Sequence, residues 1–394
     1  MSQRTTLIAG VGMTAFRRPS EGVGYETLAR EAVLAALADA GLDIADCQQI
    51  YAGWAYGDTT SGQRALDGVG LTGAPIFNVN NACASGSSAA FLARQAVASG
   101  AVECALAFGF EQMPSGALEL FFSDRANVLS RHIAVSDRIL GPSDDPMTPK
   151  VFAAAGREHM ERDGISPESY AKIAVKARRH AANNPKAIFR EPLSVEQVLH
   201  SREIIPPLTK FQCCPPSSGA AAVVICSEDF AERRGIARAV AIRGMALATD
   251  TPASFSGSAI SMVGFDIAQT AARDALSEAG VAAADVDVVE LHDCFTVNEA
   301  LSYEAIGLCE AGGAERMIAD DDNTYGGRVV VNPSGGLLAK GHPLGATGLA
   351  QLTELTLQLR GTADARQVEG ARIGLQHNVG LNGAAVVSVL ERLG

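Results

Sequence analysis

Two stretches far apart in the chain follow nearly the same pattern. TLAREAVLAALADAGLDIADCQQIYAG (27–53) is similar to TAARDALSEAGVAAADVDVVELHD (270–293). Gly41 matches Gly280, Asp46 matches Asp285, Leu37 matches Leu276 and Ile50 matches Val289. Each copy reads as an amphipathic helix ended by glycine, then a short acidic turn, then an apolar strand. A looser correspondence follows: SSAAFLARQAVASG with ECALAF in the first half, and GLAQLTELTLQLRG with ARIGLQ in the second. A chain duplicated in this way is expected to fold as two similar halves. Short apolar strands between helices predict the α/β class, with mostly parallel sheets covered by helices.

The 394 residues have room for two or three domains or one large two-part unit. Hydrophobic content of 47% against 19% charged residues indicates a large buried core. A net charge of −12 argues against a general nucleic-acid binder. No run approaches the ~18 apolar residues that a membrane span needs. The start MSQRTTLIAGVGMT reads as a polar lead into a buried strand, not as a signal peptide. The eight cysteines form no CxxC pair, so reduced thiols and a cytoplasmic location are expected. Cys213 and Cys214 are adjacent, which suits neither a mutual disulfide nor zinc, and both are expected to pack.

Residues 150–202 carry ten Lys/Arg against six Asp/Glu, a basic excess inside an acidic chain. GREHMERDGISPESYAKIAVKARRHAANNPKAIF within it reads as two helices with a Ser-Pro-Glu start between them. The basic excess suits either an ordinary solvated helix face or attraction of a polyanionic ligand. The run AAAVVI in FQCCPPSSGAAAVVICSEDF (211–230) suits a buried strand that completes the first sheet. The expected division is therefore 1–120 with 208–235 as the first half, 121–207 as an inserted loop domain, and 236–394 as the second half.

Four segments carry residues suited to chemistry. Cys83 in NVNNACASGSSAAFLARQAV stands at a helix start, where unpaired N–H groups favour a thiolate. Gly86 and the neighbouring alanines would leave room for a substrate, although a cysteine there can equally be a small hydrophobe. ELHDCFTVNEA places His292 and Cys294 beyond a strand's carboxyl end, where α/β proteins build ligand sites. With no second ligand pair at zinc spacing, no metal is expected. VNPSGGLLAKGHPLGATGLAQ sets His342 in a glycine-rich loop before a helix, without the Lys-Ser ending of a phosphate loop. LQHNVGLNGAAVV reads as a strand, a polar turn at His377–Asn378, then Gly380 and another strand.

NNACASGSSAA, CCPPSSGAAA, ELHDCF, NTYGG, NPSGGLLAKGHPLGATGLAQ and LQHNVG, in that order, resemble the signatures of the thiolases, specifically the sterol carrier protein X type. The resemblance spans essentially the whole chain. It implies the thiolase fold, a duplicated αβαβα five-layered core with an inserted loop domain, assembled as a homodimer or homotetramer. It implies no permanently bound cofactor and coenzyme A as cosubstrate, which the basic insertion would attract. Cys83 matches the acyl-accepting nucleophile and His342 the histidine that activates it. His292 with His342 would form one oxyanion hole, and the Gly380 and Cys83 N–H groups the other. Asn378 stands where most thiolases keep a second cysteine, and Cys294 would supply that acid/base thiol instead.

The implied activity is CoA-dependent cleavage of a 3-oxoacyl-CoA, or the reverse condensation, in fatty acid or sterol side-chain metabolism. The alternatives are a thiolase-fold retro-aldolase or C-acyltransferase subunit acting with a small partner protein, and a non-catalytic lipid binder. Two departures from the family pattern are Ser218, where an aspartate is common, and Asn382 in GLNG, expected to reshape the turn beside the site. The ending ERLG leads us to expect neither a fused sterol-carrier domain nor a peroxisomal SKL-type tail.

Overall fold

The computed structural model describes residues 4–116, 122 and 124–393. The expected boundary at 120/121 lies outside them. Among the described residues the strands are β1 (Thr6–Met13), β2 (Gln49–Gly53), β3 (Ile76–Val79), β4 (Cys104–Gln112), β5 (Glu203–Ile205), β6 (Leu208–Thr209), β7 (Ser218–Ser227), β8 (Val240–Ala248), β9 (Val288–Glu290), β10 (Val330–Val331), β11 (Ile373–Gly380) and β12 (Ala384–Arg392). Ten of them join in the order β3-β2-β4-β7-β1-β8-β12-β11-β9-β10, and β5 and β6 form a separate ribbon. Outward from the middle, β1-β7-β4-β2-β3 has the same order as β8-β12-β11-β9-β10. The halves meet where Thr6–Ile8 of β1 pairs antiparallel with Val240–Ile242 of β8.

The sequence repeat is a repeat of hydrogen bonds. The helices Tyr25–Ala40 and Phe265–Ala279 end at Gly41 and Gly280, with φ of 66° and 67°. That left-handed conformation is one glycine adopts without steric cost. It lets Leu42 N–H reach the Leu37 carbonyl and Val281 N–H the Leu276 carbonyl. Asp46 then accepts from Asp43 N–H at 2.9 Å, as Asp285 does from Ala282 N–H at 3.2 Å. Two tight, matched corners send the chain into β2 and β9.

Helix Tyr25–Ala40 covers β1 and β7, and helix Phe265–Ala279 covers β8 and β12. Helices Ser85–Ala98 and Leu344–Leu359 lie against each other and touch strands of both halves. These are the five layers of the duplicated α/β core. The run AAAVVI lies in β7, which is buried throughout and pairs with β1 and β4.

The sheets are mixed, contrary to the expectation of mostly parallel strands. The pairs β2–β3, β2–β4, β9–β10 and β9–β11 are parallel, while β1–β7, β1–β8, β4–β7, β8–β12 and β11–β12 are antiparallel. A strand covered on both faces is apolar whichever way it runs, so β7 and β12 carry no sign of direction. His377 and Asn378 lie inside β11, not in a turn. The reversal falls at Leu381–Gly383, where Asn382 takes φ 63°, a conformation asparagine tolerates better than most side chains.

The segment between β4 and β7 contributes no described strand to the large sheet. It holds helices Ser130–Leu140, Met147–Asp163, Pro167–Ala181 and Val195–Leu199. Ser166 caps the third of these by accepting from Ser169 N–H, as the Ser-Pro-Glu start predicts.

Candidate active site

Cys83 sits in a tight turn leading into helix Ser85–Ala98. Ala82 has φ 49°, and Ala84 N–H and Ser85 N–H reach back to the Asn81 and Ala82 carbonyls. Ser85 Oγ locks the turn, accepting from Asn81 N–H and donating to the Ala82 carbonyl. Gly86 serves helix packing and not substrate access. A Cβ there would lie 2.5 Å from the Gly345 carbonyl oxygen of the second central helix. Gly380 closes on the same turn, since its Cβ would lie 2.1 Å from the Asn81 carbonyl oxygen. Glycine at both places lets the N-terminal ends of the two central helices and the end of β11 meet around the sulfur.

His342 arrives from the other half, just before helix Leu344–Leu359. Its Nδ1 lies 2.7 Å from Thr347 Oγ1, whose hydroxyl donates to the Pro343 carbonyl at 2.9 Å. The Thr347 proton being used, Nδ1 carries the hydrogen of this contact and Nε2 keeps a bare lone pair. Nε2 is buried and makes no hydrogen bond among the described residues. His292 follows β9 and stands edge-on to His342, with ring centroids 5.0 Å apart. Its Nδ1 lies 2.9 Å from Asn378 Nδ2 of β11. Cys83 Sγ and one ring nitrogen from each histidine all fall within 4.8 Å of one another.

These residues share a cavity of about 500 Å³ with Cys294, Phe152, Phe295 and Leu381. Cys213 and Cys214 pack against the core, as expected, and also line this cavity. Cys214 N–H donates to the Cys294 carbonyl at 2.9 Å, tying the two thiol segments together. The basic insertion supplies Arg178 and Arg202 to the same cavity, and Lys210 joins them from just beyond it. Arg178 lies 4.4 Å from the Phe189 ring centre and 5.6 Å from that of Phe211.

Burial sets the electrostatics. It pushes the Cys83 thiol up to about 12, with help from the neighbouring Glu111 carboxylate. The expected thiolate at a helix start is thus not the resting form. A helix dipole contributes ~0.3–1 kcal/mol, less than one pKa unit, and loses to desolvation here. Burial holds His342 down to about 3, and burial with the His342 and His377 charges holds His292 well below the ordinary range. Cys294 is raised well above an ordinary thiol by burial, Cys214, Cys83 and Asp293. The site rests as neutral thiols beside neutral imidazoles.

Several contributors were not legible in the sequence. Glu111, the last residue but one of β4, accepts N–H bonds from Ala55, Tyr56 and Gly345, so it links the Cys83 half to the start of the His342 helix. Its carboxyl is raised to about 7 by burial. A lone acid ending the apolar run CALAFGF was the available signal. Asp293 accepts from Leu337 and Leu338 N–H, and Lys340 pairs with Glu290, so a buried carboxyl and a buried ion pair hold the loop that carries His342. Among the described residues two groups could hold a cation: Cys83, His292 and His342, and, away from the cavity, His159, Asp163 and Glu304. In the second, Arg162 already binds both Asp163 oxygens.

A duplicated α/β core with a cysteine and two histidines at the seam between its halves defines a thiolase-type enzyme, and sequence comparison agrees. Residues 6–205 match the thiolase N-terminal domain and residues 251–392 the thiolase C-terminal domain-like family. The chain belongs to the thiolase family of acyltransferases. Sterol carrier protein 2 of Gallus gallus is 51% identical over 391 residues, covering 98% of this chain and 72% of that protein. Within the family the chain is therefore of the sterol carrier protein X type. Among solved structures, an Ltp2–ChsH2(DUF35) aldolase superposes with a TM-score of 0.80 at 26% identity, over 98% of each chain. Human mitochondrial 3-ketoacyl-CoA thiolase superposes with a TM-score of 0.74 at 18% identity, over 99% of each chain. No helix among the described residues is long and apolar enough to cross a membrane.

Proposed function

We propose that the chain is a 3-oxoacyl-CoA thiolase working through an acyl-Cys83 intermediate. The observation that carries this reading is the convergence of Cys83, His342, His292 and Cys294 on one cavity. His342 Nε2 takes the Cys83 proton as the sulfur attacks the 3-keto carbon. With a thiol at about 12 and an imidazole at about 3, transfer accompanies bond formation and no thiolate–imidazolium pair precedes it. The Cys83 and Gly380 N–H groups hold the tetrahedral oxyanion.

The C2–C3 bond then breaks, leaving the acyl group on Cys83 and the electron pair on an enolate of acetyl-CoA. His292 and the newly protonated His342 donate to the enolate oxygen, and Cys294 S–H protonates its carbon. Acetyl-CoA leaves. A second CoA thiol gives its proton to the Cys294 thiolate and attacks the acyl-Cys83 carbonyl. A shortened acyl-CoA departs, and Cys83 recovers its proton from His342. Arg178, Arg202 and Lys210 would attract the phosphates of CoA, and no metal or bound cofactor takes part.

CoA-dependent cleavage of a panel of 3-oxoacyl-CoA substrates tests the proposal. Turnover that Cys83→Ala abolishes supports it, and turnover that survives the substitution sinks it. The aldolase superposition favours one second reading, a lyase subunit acting with a small partner protein. A lyase would split its substrate without free CoA. We also propose a homodimer, supported by the edge strand β3, whose Phe77 is 45% exposed. The cavity-lining cysteines support a reducing, cytoplasmic setting.

A further inference from the structure

β11 places Gln376 and Asn378 on one face, toward the two central helices. There a chain of buried hydrogen bonds runs from a main-chain carbonyl to His292. Gln351 Nε2 donates to the His377 carbonyl at 3.1 Å. Gln376 Nε2 lies 3.0 Å from Gln351 Oε1 and 2.7 Å from Ser87 Oγ, while Ser388 Oγ donates to Gln376 Oε1 at 2.8 Å. Ser87 Oγ donates to Asn378 Oδ1 at 2.8 Å, and Asn378 Nδ2 meets His292 Nδ1 at 2.9 Å.

The direction of this chain is fixed at its far end. A carbonyl only accepts, so the Gln351 atom facing His377 is nitrogen and the other end of that amide is oxygen. Gln376 must then donate to Gln351, and its amide nitrogen also donates to Ser87. The Ser87 proton is left for Asn378, whose facing atom must be oxygen. The Asn378 amide nitrogen therefore points at His292, and His292 Nδ1 can only accept. Gly348 keeps the path clear. A Cβ there would lie 1.9 Å from Ser87 Oγ and 2.8 Å from Asn378 Oδ1, which gives the second glycine of GATG a reason.

We infer that Gln351, Gln376, Ser87 and Asn378 are positioning residues that hold His292 as the neutral Nε2–H tautomer, a fixed donor facing the cavity. Thr347 gives His342 the opposite assignment, Nδ1–H with a bare Nε2. One histidine enters the reaction as acceptor and its neighbour as donor. The value of that division for enolate stabilisation rests on the thiolase reading, whereas the tautomer itself does not.

The test is ¹⁵N NMR of the histidine side chains in the full-length protein without substrate, with the His292 signals assigned by their loss in His292→Gln. His292 should show a protonated Nε2 and a bare Nδ1. Asn378→Asp, which replaces the donor by an acceptor, should move the proton to Nδ1 or give the imidazolium. Ser87→Ala frees the Asn378 amide to turn and should give a mixture of tautomers, with kcat down about tenfold, on the scale of one hydrogen bond. KM for CoA should stay unchanged. Ser388→Ala removes a buried hydroxyl from the same network without altering any donor direction, and should keep the wild-type tautomer. A protonated Nδ1 in the unsubstituted protein overturns the inference, as does an unaltered His292 in Ser87→Ala. A chain that cleaves no 3-oxoacyl-CoA yet shows the Nε2–H signature would refute the thiolase reading alone.

Discussion

Thr347 Oγ1 lies 2.7 Å from His342 Nδ1, one helical turn beyond it, and donates its own hydrogen bond to the Pro343 carbonyl. A helix hydroxyl thus decides which nitrogen of a neighbouring histidine is basic. Thr347→Val keeps the shape and removes the acceptor, leaving the buried Nδ1–H unpaired. We expect kcat to fall about three- to tenfold, the scale of ~0.5–1.5 kcal/mol for one hydrogen bond. The folded state should be retained, and steady-state kinetics with a far-UV spectrum measure both.

Burial and Glu111 keep Cys83 protonated at neutral pH. Alkylation of Cys83 by iodoacetamide should therefore rise about tenfold per pH unit from pH 7 to 9, with no plateau. Removing the Glu111 charge stabilises the thiolate, so Glu111→Gln should lower the Cys83 pKa and speed alkylation at a given pH. A plateau below pH 8 in the unsubstituted protein would show a preformed thiolate–imidazolium pair and contradict this electrostatic account.

Cys294 lies in the same cavity, and burial keeps its thiol protonated as a carbon acid/base at rest requires. Cys294→Ala should lower thiolysis by roughly 10²–10⁴-fold, typical of a lost acid/base group. Transfer of an acyl group from acyl-CoA onto Cys83 should persist, because that step needs His342 and not Cys294. Stopped-flow thiolysis beside single-turnover acylation separates the two.

Arg202 at the end of the inserted segment and Lys210 just beyond it line the cavity. Arg202→Glu with Lys210→Glu should raise KM for CoA, and the wild-type KM should itself rise with salt as screening shortens the reach of these charges. kcat should hold. Initial-rate kinetics at low and high ionic strength decide the point, and a KM indifferent to both changes would place the CoA phosphates elsewhere.

Much of this was written in the sequence, for identifiable reasons. The Gly41/Gly280 and Asp46/Asp285 matches announce the duplication because each fixes a corner of the backbone. Cys83, His292, Cys294 and His342 stood out by residue type and by position at strand ends and helix starts, and they share a cavity. Strand direction stayed hidden, since β7 is apolar on both faces. The misplaced turn at His377–Asn378 has a related cause. Asn378 belongs in a strand because Ser87, hundreds of residues away in sequence, satisfies it, and Gln376 beside it finds Gln351 on the second central helix. Glu111 left only the trace of a lone acid ending an apolar run, because its partners Ala55, Tyr56 and Gly345 are brought to it only by the fold.

Mass spectrometry of the intact chain after brief incubation with a 3-oxoacyl-CoA, without free CoA, tests the central claim most directly. The account predicts one added acyl group on the Cys83 peptide, absent from Cys83→Ala and discharged when CoA is added. Cleavage of the substrate with Cys83 left unmodified would contradict it.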